Sequence, residues 1–478
     1  MEAYYIITIM VRTRIAPSPT GYPHIGTIYQ VLFDYAYAKK YKGEFIMRIE
    51  DTDRNRFIEG AEKVIYDSID WFGLYEDESP RKPGKHAPYR QSERLSIYKE
   101  FAETLITNGH ACYCFCTKER LDEMRKQQEA NKMTPRYDKT CRNLSQDIVA
   151  SNLQKGIQHV IRMKVPENQT VSFTDLIIGD ISFSTNDIDD QIIMKADGFP
   201  TYHLAVVIDD HLMEITHIIR GREWIPSTPK HILLYNFFGW EIPTHAHLPL
   251  ILNSDGKGKL SKRHGHASVD YYKDLGYLPD AVLNFLSNLV WYHPEGKEIY
   301  DIEEFINLFK LEKINSQGAR FNLDKLDWMN GEYIRKMDDL ELKSIVFNFY
   351  KEQYDEELIG KTIPLIKERI KKLSDYYPLC EFLFKKPDSY EVDLIQHKQM
   401  FEKVLSVLVS LDNWRANLIG EALQDLATKE SIKFSEFFMN LRVSITGKKI
   451  SPPLNESLEL LGKEETISRI EAIAKQSF

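Results

Sequence analysis

The stretch Arg14-Ile-Ala-Pro-Ser-Pro-Thr-Gly-Tyr-Pro-His-Ile-Gly-Thr27 decides how the first half of this chain folds. Ahead of it runs an apolar, β-branched segment, Tyr4 to Val11, which reads as a buried strand. Behind it, Ile28, Val31, Leu32 and Tyr35 fall on one helical face, so a helix is expected from near Thr27. The prolines and Gly21 make a rigid turn between the two, with the His24 imidazole and the small Gly26 at the helix mouth. Free N–H groups at a helix N-terminus attract phosphate, and a glycine there lets a ring or a phosphate approach the backbone. Strand, turn and helix together outline a nucleotide site.

Working outward, residues 1–110 alternate strand and helix. Phe45–Ile49 reads as a short strand, Glu50-Asp51-Thr52-Asp53-Arg54 as an acidic turn, and Ile58, Ala61, Ile65, Ile69 and Phe72 as a helix. Such units imply a doubly wound parallel sheet, in which ligands bind beyond the carboxyl ends of the strands. Arg14 and Glu50 belong at such ends. Residues 111–195 are more polar, with a charged helix (Lys118–Gln128) and short alternating strands (His159–Val165, Val171–Phe173). The sheet pattern returns over 196–265: Asp197–Ala205 leads into Val206–Ile208, read as a strand, and Ile215–Ile219 is another, ending at Arg220. A helix (Pro226–Phe238) and a strand (Leu248–Leu252) precede Asn253-Ser-Asp-Gly-Lys-Gly-Lys-Leu-Ser-Lys-Arg-His-Gly265. Glycines let that loop close, and Lys259 and Lys262 carry point charges suited to a triphosphate. From Ser268 onward the text is helical, and beyond Gly331 almost wholly so.

Composition narrows the class. The chain has 478 residues, 43% hydrophobic and 28% charged, enough for two or three ordinary globular domains. No apolar run approaches the roughly 20 residues that cross a bilayer, and Tyr4–Val11 lacks the basic flank of a secretion signal, so no membrane association is expected. Met1 and Met10 both stay open as the start. Five cysteines in so long a chain suit a reducing cytoplasm rather than a disulfide framework. A net charge of −9 argues against wholesale nucleic-acid binding, yet a polyanion feels local potential, and basic groups cluster at Lys257–His266 and Lys361–Lys372.

Residues 14–27 resemble the first signature of class I aminoacyl-tRNA synthetases, and most closely that of the glutamyl-tRNA synthetases, where Ala-Pro-Ser-Pro-Thr-Gly precedes the histidine. Thr27 stands in the fourth place of the signature, and Pro23 where leucine is more usual. Lys259-Leu-Ser-Lys-Arg263 resembles the second signature, and Arg48-Ile-Glu-Asp-Thr-Asp53 matches the same branch letter for letter. Leu441–Gly447, Ser451–Leu454 and Leu461–Glu464 resemble the tail of bacterial members, so the resemblance runs from Arg12 to the end. It implies a Rossmann-type catalytic domain split over 1–110 and 196–265. An acceptor-end-binding α+β insertion at 111–195, a helical stem-contact linker at 266–330 and an all-α anticodon-binding domain at 331–478 complete the expected architecture.

The implied activity is glutamate–tRNA ligation: L-glutamate and ATP give glutamyl-adenylate and diphosphate, and the glutamyl group passes to the terminal adenosine of tRNA-Glu. Whether tRNA-Gln is also charged stays open. His24, Lys259 and Lys262 are the implied catalytic groups. Pro17, Ser18, Pro19, Thr20, Gly21, Gly26 and Thr27 on one side, and Leu260, Ser261 and Arg263 on the other, would join them around ATP and its Mg²⁺. By the same resemblance Glu50 holds the α-amino group of glutamate with help from Ser18, beside Ala16. A second carboxylate in a crevice needs fixed cations, and Arg14 and Arg220 are the candidates, with the Tyr202 hydroxyl as a third donor. The other employment open to these arginines is a salt bridge to Asp51, Asp209 or Asp210. Val206 replaces an amide found in some relatives.

Cys114-x-Cys116 and Cys141 offer three thiols where zinc wants four ligands. Some relatives supply a histidine where Asn143 stands, so a degenerate site without zinc is expected. A monomer is also expected. Glutaminyl-tRNA synthetase and a non-tRNA nucleotidylyltransferase remain the alternatives. The first, in its eukaryotic type, reads Pro-Glu-Pro-Asn-Gly before its histidine and ends in a β-rich domain, and the second has no use for a long helical tail.

Overall fold

The computed structural model describes residues 10–260, 267–351 and 353–475. Most of the expected Tyr4–Val11 strand lies outside them, and the first strand, β1, is Arg12–Ile15. Helix α1 (Ile25–Lys40) begins two residues before Thr27 because the His24 imidazole caps it, Nδ1 accepting from Gly26 N–H at 3.0 Å. β2 (Glu44–Met47), α2 (Ala61–Trp71) and α3 (Leu95–Thr107) follow. Then come β3 (Ala111–Cys114), α4 (Lys118–Ala130), α5 (Gln146–Gln154), β4 (Val160–Met163), β5 (Thr170–Asp175), β6 (Gly179–Ser184) and β7 (Ile192–Met194). α6 (Tyr202–Leu212), β8 (His217–Gly221), α7 (Thr228–Phe238) and β9 (Thr244–Leu248) complete the elements that matter for the site.

Parallel pairing joins β1 to β2, with Arg14 opposite Ile46, and β8 to β9, with Arg220 opposite His247. Thr216 N–H donates to Arg12 O at 3.0 Å, which brings the entry to β8 beside β1. β5 joins β9 in parallel at Asp175 and His245, and β6 returns antiparallel along β5. β3, β4 and β7 form a separate antiparallel sheet. Its apolar residues Ala111, Ile161, Met163 and Ile193 share one core with Leu204–Ile208 of α6 and Ile232–Tyr235 of α7.

Val206–Ile208 is not a strand. It is the middle of α6, buried continuously from Leu204 to Asp210. A helix covered on nearly all sides has no polar stripe, so the 3.6-residue period vanishes and the text imitates a buried strand.

Contact clustering divides the chain into two bodies: residues through Tyr271 with Leu283–Asn322, and Tyr272–Val282 with residues from Leu323 on. The second body is helical, including Leu323–Lys336, Asp339–Phe349, Glu356–Ile366, Lys398–Ser410, Ala416–Lys429 and Phe434–Thr446. Phe401, Val404, Leu423, Phe437 and Leu441 are fully buried in one of its cores, Ile359, Ile363 and Tyr376 in another. Among the described residues no helix is long and apolar enough to cross a membrane.

Candidate active site

The carboxyl ends of β1, β2 and β8, with the start of α6, enclose a cavity of about 300 Å³. Arg14, Ala16, Ser18, Glu50, Tyr202 and Arg220 all line it, as do Pro17, Thr20, Gly21 and Val206. Residues separated by most of this body thus converge, because parallel strands present their ends on one side of the sheet. Pro19 lines no part of it; it is buried, and its carbonyl accepts from Ile58 N–H at 2.9 Å.

The charged groups have distinct partners. Arg14 Nε donates to Asp210 at 3.1 Å, and Arg48 Nη1 donates to the same carboxylate at 2.8 Å. Of the three acids open to Arg14, Asp210 is the one engaged. Asp51 accepts from Ser92, and Asp209 from Arg94, Gln91 and Tyr98. Burial opposes the charge of Asp210, yet Arg14 and Arg48 hold its carboxyl below the ordinary range. Among the described residues the Glu50 carboxyl accepts from Arg48 Nη2, at 3.2 Å, and burial outweighs that cation, pushing the carboxyl up to about 7.

Arg220 differs from Arg14. Its Nε donates to His247 Nε2 at 3.1 Å, Nη2 to Thr228 Oγ1 at 2.8 Å and Nη1 to the Tyr202 hydroxyl at 3.2 Å. No carboxylate among the described residues forms an ion pair with it, and burial lowers its pKa from the usual guanidinium value. A buried cation with only neutral partners is costly until an anion arrives.

A second cavity, of about 460 Å³, opens at the mouth of α1. His24, Gly26, Thr27, Glu223, Lys259 and Leu260 line it, and Lys259 forms an ion pair with Glu223. A Cβ on Gly26 would lie 3.1 Å from His24 Nδ1, so glycine is what lets the cap form at this separation. Leu260 N–H donates to Ile251 O at 2.9 Å, fastening the lysine loop to the end of a strand. Ser261, Lys262 and Arg263 lie outside the described residues. Thr27, Gln30 and Trp224 line both cavities, so the two adjoin. One holds a carboxylate and two guanidinium groups, fit for an amino acid with an extra carboxylate; the other joins a helix mouth to a lysine, fit for a nucleotide.

A family model described as tRNA synthetases class I (E and Q), catalytic domain, matches residues 10–328, and one described as Anticodon binding domain matches 330–474. A Glutamate–tRNA ligase of Dehalococcoides mccartyi is 44% identical over 98% of this chain and 99% of its own length. The chain belongs to the glutamate–tRNA ligase family of class I synthetases.

Another member of the family, from Treponema denticola, is 39% identical over 98% of this chain and all of its own. Among solved structures, a glutamate tRNA ligase from Elizabethkingia meningosepticum in complex with its amino acid superposes with a TM-score of 0.88. It is 37% identical and covers 98% of this chain and 99% of its own. The glutamate-tRNA synthetase of Elizabethkingia anophelis gives 0.87, with 98% and 100% covered and the same identity.

Reading the sequence missed several site residues. Gln30 follows Thr27 by three places, so helical phase could have found it; Trp224 stood four residues beyond Arg220. His231, His247 and Thr228 behind Arg220 carried no local signal. Cys114, Cys116 and Cys141 place their sulfurs within 4.8 Å of one another. The hydroxyl that reaches them belongs to Tyr137, 3.3 Å from Cys114 Sγ, and its oxygen also accepts from Cys141 N–H at 2.9 Å.

Proposed function

We propose that this chain activates L-glutamate with ATP and transfers it to tRNA-Glu. The observation that carries the reading is the adjoining of the two cavities at Thr27, Gln30 and Trp224, so that a carboxylate bound beside Arg14 and Arg220 meets a nucleotide bound beside His24 and Lys259. The relatives named Glutamate–tRNA ligase, one of them solved in complex with its amino acid, support it.

Glu50 takes the α-ammonium with Ser18, while Arg220 and Arg14, with the Tyr202 hydroxyl, take the side-chain carboxylate. An oxygen of the α-carboxylate attacks the α-phosphorus of ATP, and the bond to the pyrophosphate oxygen breaks. No general base is needed, since the nucleophile is already an anion. Charge spreads over phosphoryl oxygens in the transition state, and the cationic groups and helix mouth stabilise it by being in place beforehand. His24, Lys259 and Lys262 serve there, with the turn from Pro17 to Gly21 and residues Gly26, Thr27, Leu260, Ser261 and Arg263 around the nucleotide. Mg²⁺ bound with the triphosphate would neutralise part of its charge. The 2′-hydroxyl of the terminal adenosine then attacks the acyl carbon, and AMP leaves.

Residues 111–195 act on the acceptor end and those beyond 330 on the anticodon. The chain works as a monomer in the cytoplasm, whose reducing conditions suit five cysteines in so long a sequence. The cysteine cluster holds no zinc on this view, because Asn143 stands where a fourth good ligand would complete the three thiols. Incubation with glutamate, ATP, Mg²⁺ and tRNA-Glu is expected to yield glutamyl-tRNA, and Lys262→Ala to slow activation by orders of magnitude. Pyrophosphate exchange that follows glutamine instead of glutamate overturns the assignment of the arginines.

A further inference from the structure

Against Arg220, and not among the lining of the first cavity, stands a chain of buried polar groups contributed by β5, β9 and α7. Asp175 Oδ2 accepts from His247 Nδ1 at 2.6 Å, and His247 Nε2 lies 3.1 Å from Arg220 Nε. Asp175 is itself fixed by backbone donors: His247 N–H at 3.0 Å, and Ile177 and Ile178 N–H at 3.0 and 3.1 Å. Asp175, His247 and Arg220 are 1%, 0% and 3% exposed, so their mutual contacts are shielded from bulk solvent.

We propose that Asp175 and His247 are positioning residues for glutamate recognition: the carboxylate fixes the tautomer of the imidazole, and the imidazole holds the Arg220 guanidinium without neutralising it.

The chemistry leaves few alternatives. A carboxylate at position 247 would orient Arg220 equally well but would cancel the charge that an anionic ligand must find. A neutral imidazole accepts from a guanidinium N–H only if the nitrogen it presents is unprotonated. With a carboxylate on Nδ1 the proton stays there, and Nε2 keeps its lone pair for Arg220. The same logic recurs on the other edge of the guanidinium. Arg220 Nη1 lies 3.4 Å from His231 Nδ1, and His231 Nε2 lies 3.1 Å from His203 Nδ1. The chain closes without two donors facing each other when His231 carries its proton on Nε2. Burial and the nearby guanidinium lower the pKa of His231 well below the ordinary imidazole value, and burial lowers that of His247 against the pull of Asp175, so the rings stay neutral. Arg220 thus sits among acceptors that leave its charge intact, whereas Arg14 shares Asp210 with Arg48. Discrimination against glutamine, which lacks the side-chain charge, then rests mainly on Arg220.

The inference rests on the first cavity being the glutamate seat, and the test separates the two. Pyrophosphate exchange in the presence of tRNA-Glu gives KM for glutamate and for ATP. His247→Leu is expected to raise the glutamate KM about tenfold or more, with ATP KM and kcat within about threefold. His247→Gln, whose amide oxygen can accept from Arg220, is expected to restore most of that loss. A glutamate KM unchanged in His247→Leu overturns the proposal, as does a Gln variant no better than Leu, or a parallel rise in both KM values. Should the Leu variant fail to fold, ¹⁵N-histidine NMR of the unaltered protein decides: His247 protonated on Nδ1 supports the proposal, and on Nε2 sinks it. If the unaltered protein makes no glutamyl-tRNA, the functional reading falls, and the tautomer measurement then judges only whether Asp175 and His247 position Arg220.

Discussion

Glu50 sits at a conflict between burial and charge. Its carboxyl, pushed up to about 7 by burial, is part protonated at neutral pH until an ammonium group arrives. A bound cation favours the carboxylate, so the group loses a proton when glutamate binds. The sign follows: above about 7 the carboxylate is already formed and binding is full, while below it each unit of pH weakens binding by up to about tenfold. Calorimetry near neutral pH in two buffers of different ionisation enthalpy should therefore register proton release. No difference between buffers would remove Glu50 from the ammonium site. Glu50→Gln is expected to weaken glutamate binding by about 1.5–3 kcal/mol, the worth of a hydrogen bond to a charged group, and to abolish the proton release.

At the scale of elements, two features tie stability to the site. His24 ends a turn and caps α1 at once, through Nδ1 and Gly26 N–H. His24→Asn can keep the cap but not the imidazole, whereas His24→Ala loses both. Thermal unfolding should place the Ala variant about 0.5–2 kcal/mol below wild type with Asn between them, while both lose pyrophosphate exchange alike. Equal exchange by the Asn variant and wild type would show that His24 serves only as a cap. Arg48, at the end of β2, reaches Asp209, Asp210 and Glu50, and so binds that strand to α6. Arg48→Met strands buried carboxylates and is expected to cost about 3–5 kcal/mol in urea unfolding. Arg220→Met breaks no ion pair among the described residues, and should cost far less stability while removing glutamate binding. A Met variant at 220 as unstable as that at 48 would mean Arg220 is structural.

For the whole molecule, the expectations concern partners. By family resemblance, glutamate activation should wait for tRNA, so pyrophosphate exchange without tRNA-Glu is expected to stay at background. Exchange at full rate without tRNA would contradict this. Light scattering should return the mass of one chain. Metal analysis of protein purified without chelator should return no stoichiometric zinc, and one zinc per chain, lost on replacing Cys114 and Cys141, would overturn the reading of this cluster as a degenerate site.

What the sequence determined by itself was whatever its local text encodes. The turn at Pro17–Gly21, the helix that follows it and the helices beyond Leu323 were legible, since periodicity and turn chemistry act over a few residues, whereas the first strand among the described residues, β1 at Arg12–Ile15, follows the Tyr4–Val11 stretch in which one was expected. Six residues chosen from that text, among them Arg14, Glu50 and Arg220, line one cavity, because the ends of parallel strands must gather on one side. Only the tertiary structure decided the rest. α6 hid its identity by being buried on almost every side. Arg14 took Asp210, 196 residues away, and Asp175 reached His247, 72 residues on, through a single bridge between β5 and β9. Tyr137 joined the cysteines from 23 residues beyond Cys114. Such pairings depend on which strands lie side by side and on what each burial leaves unsatisfied, and neither is written in any short window of the chain.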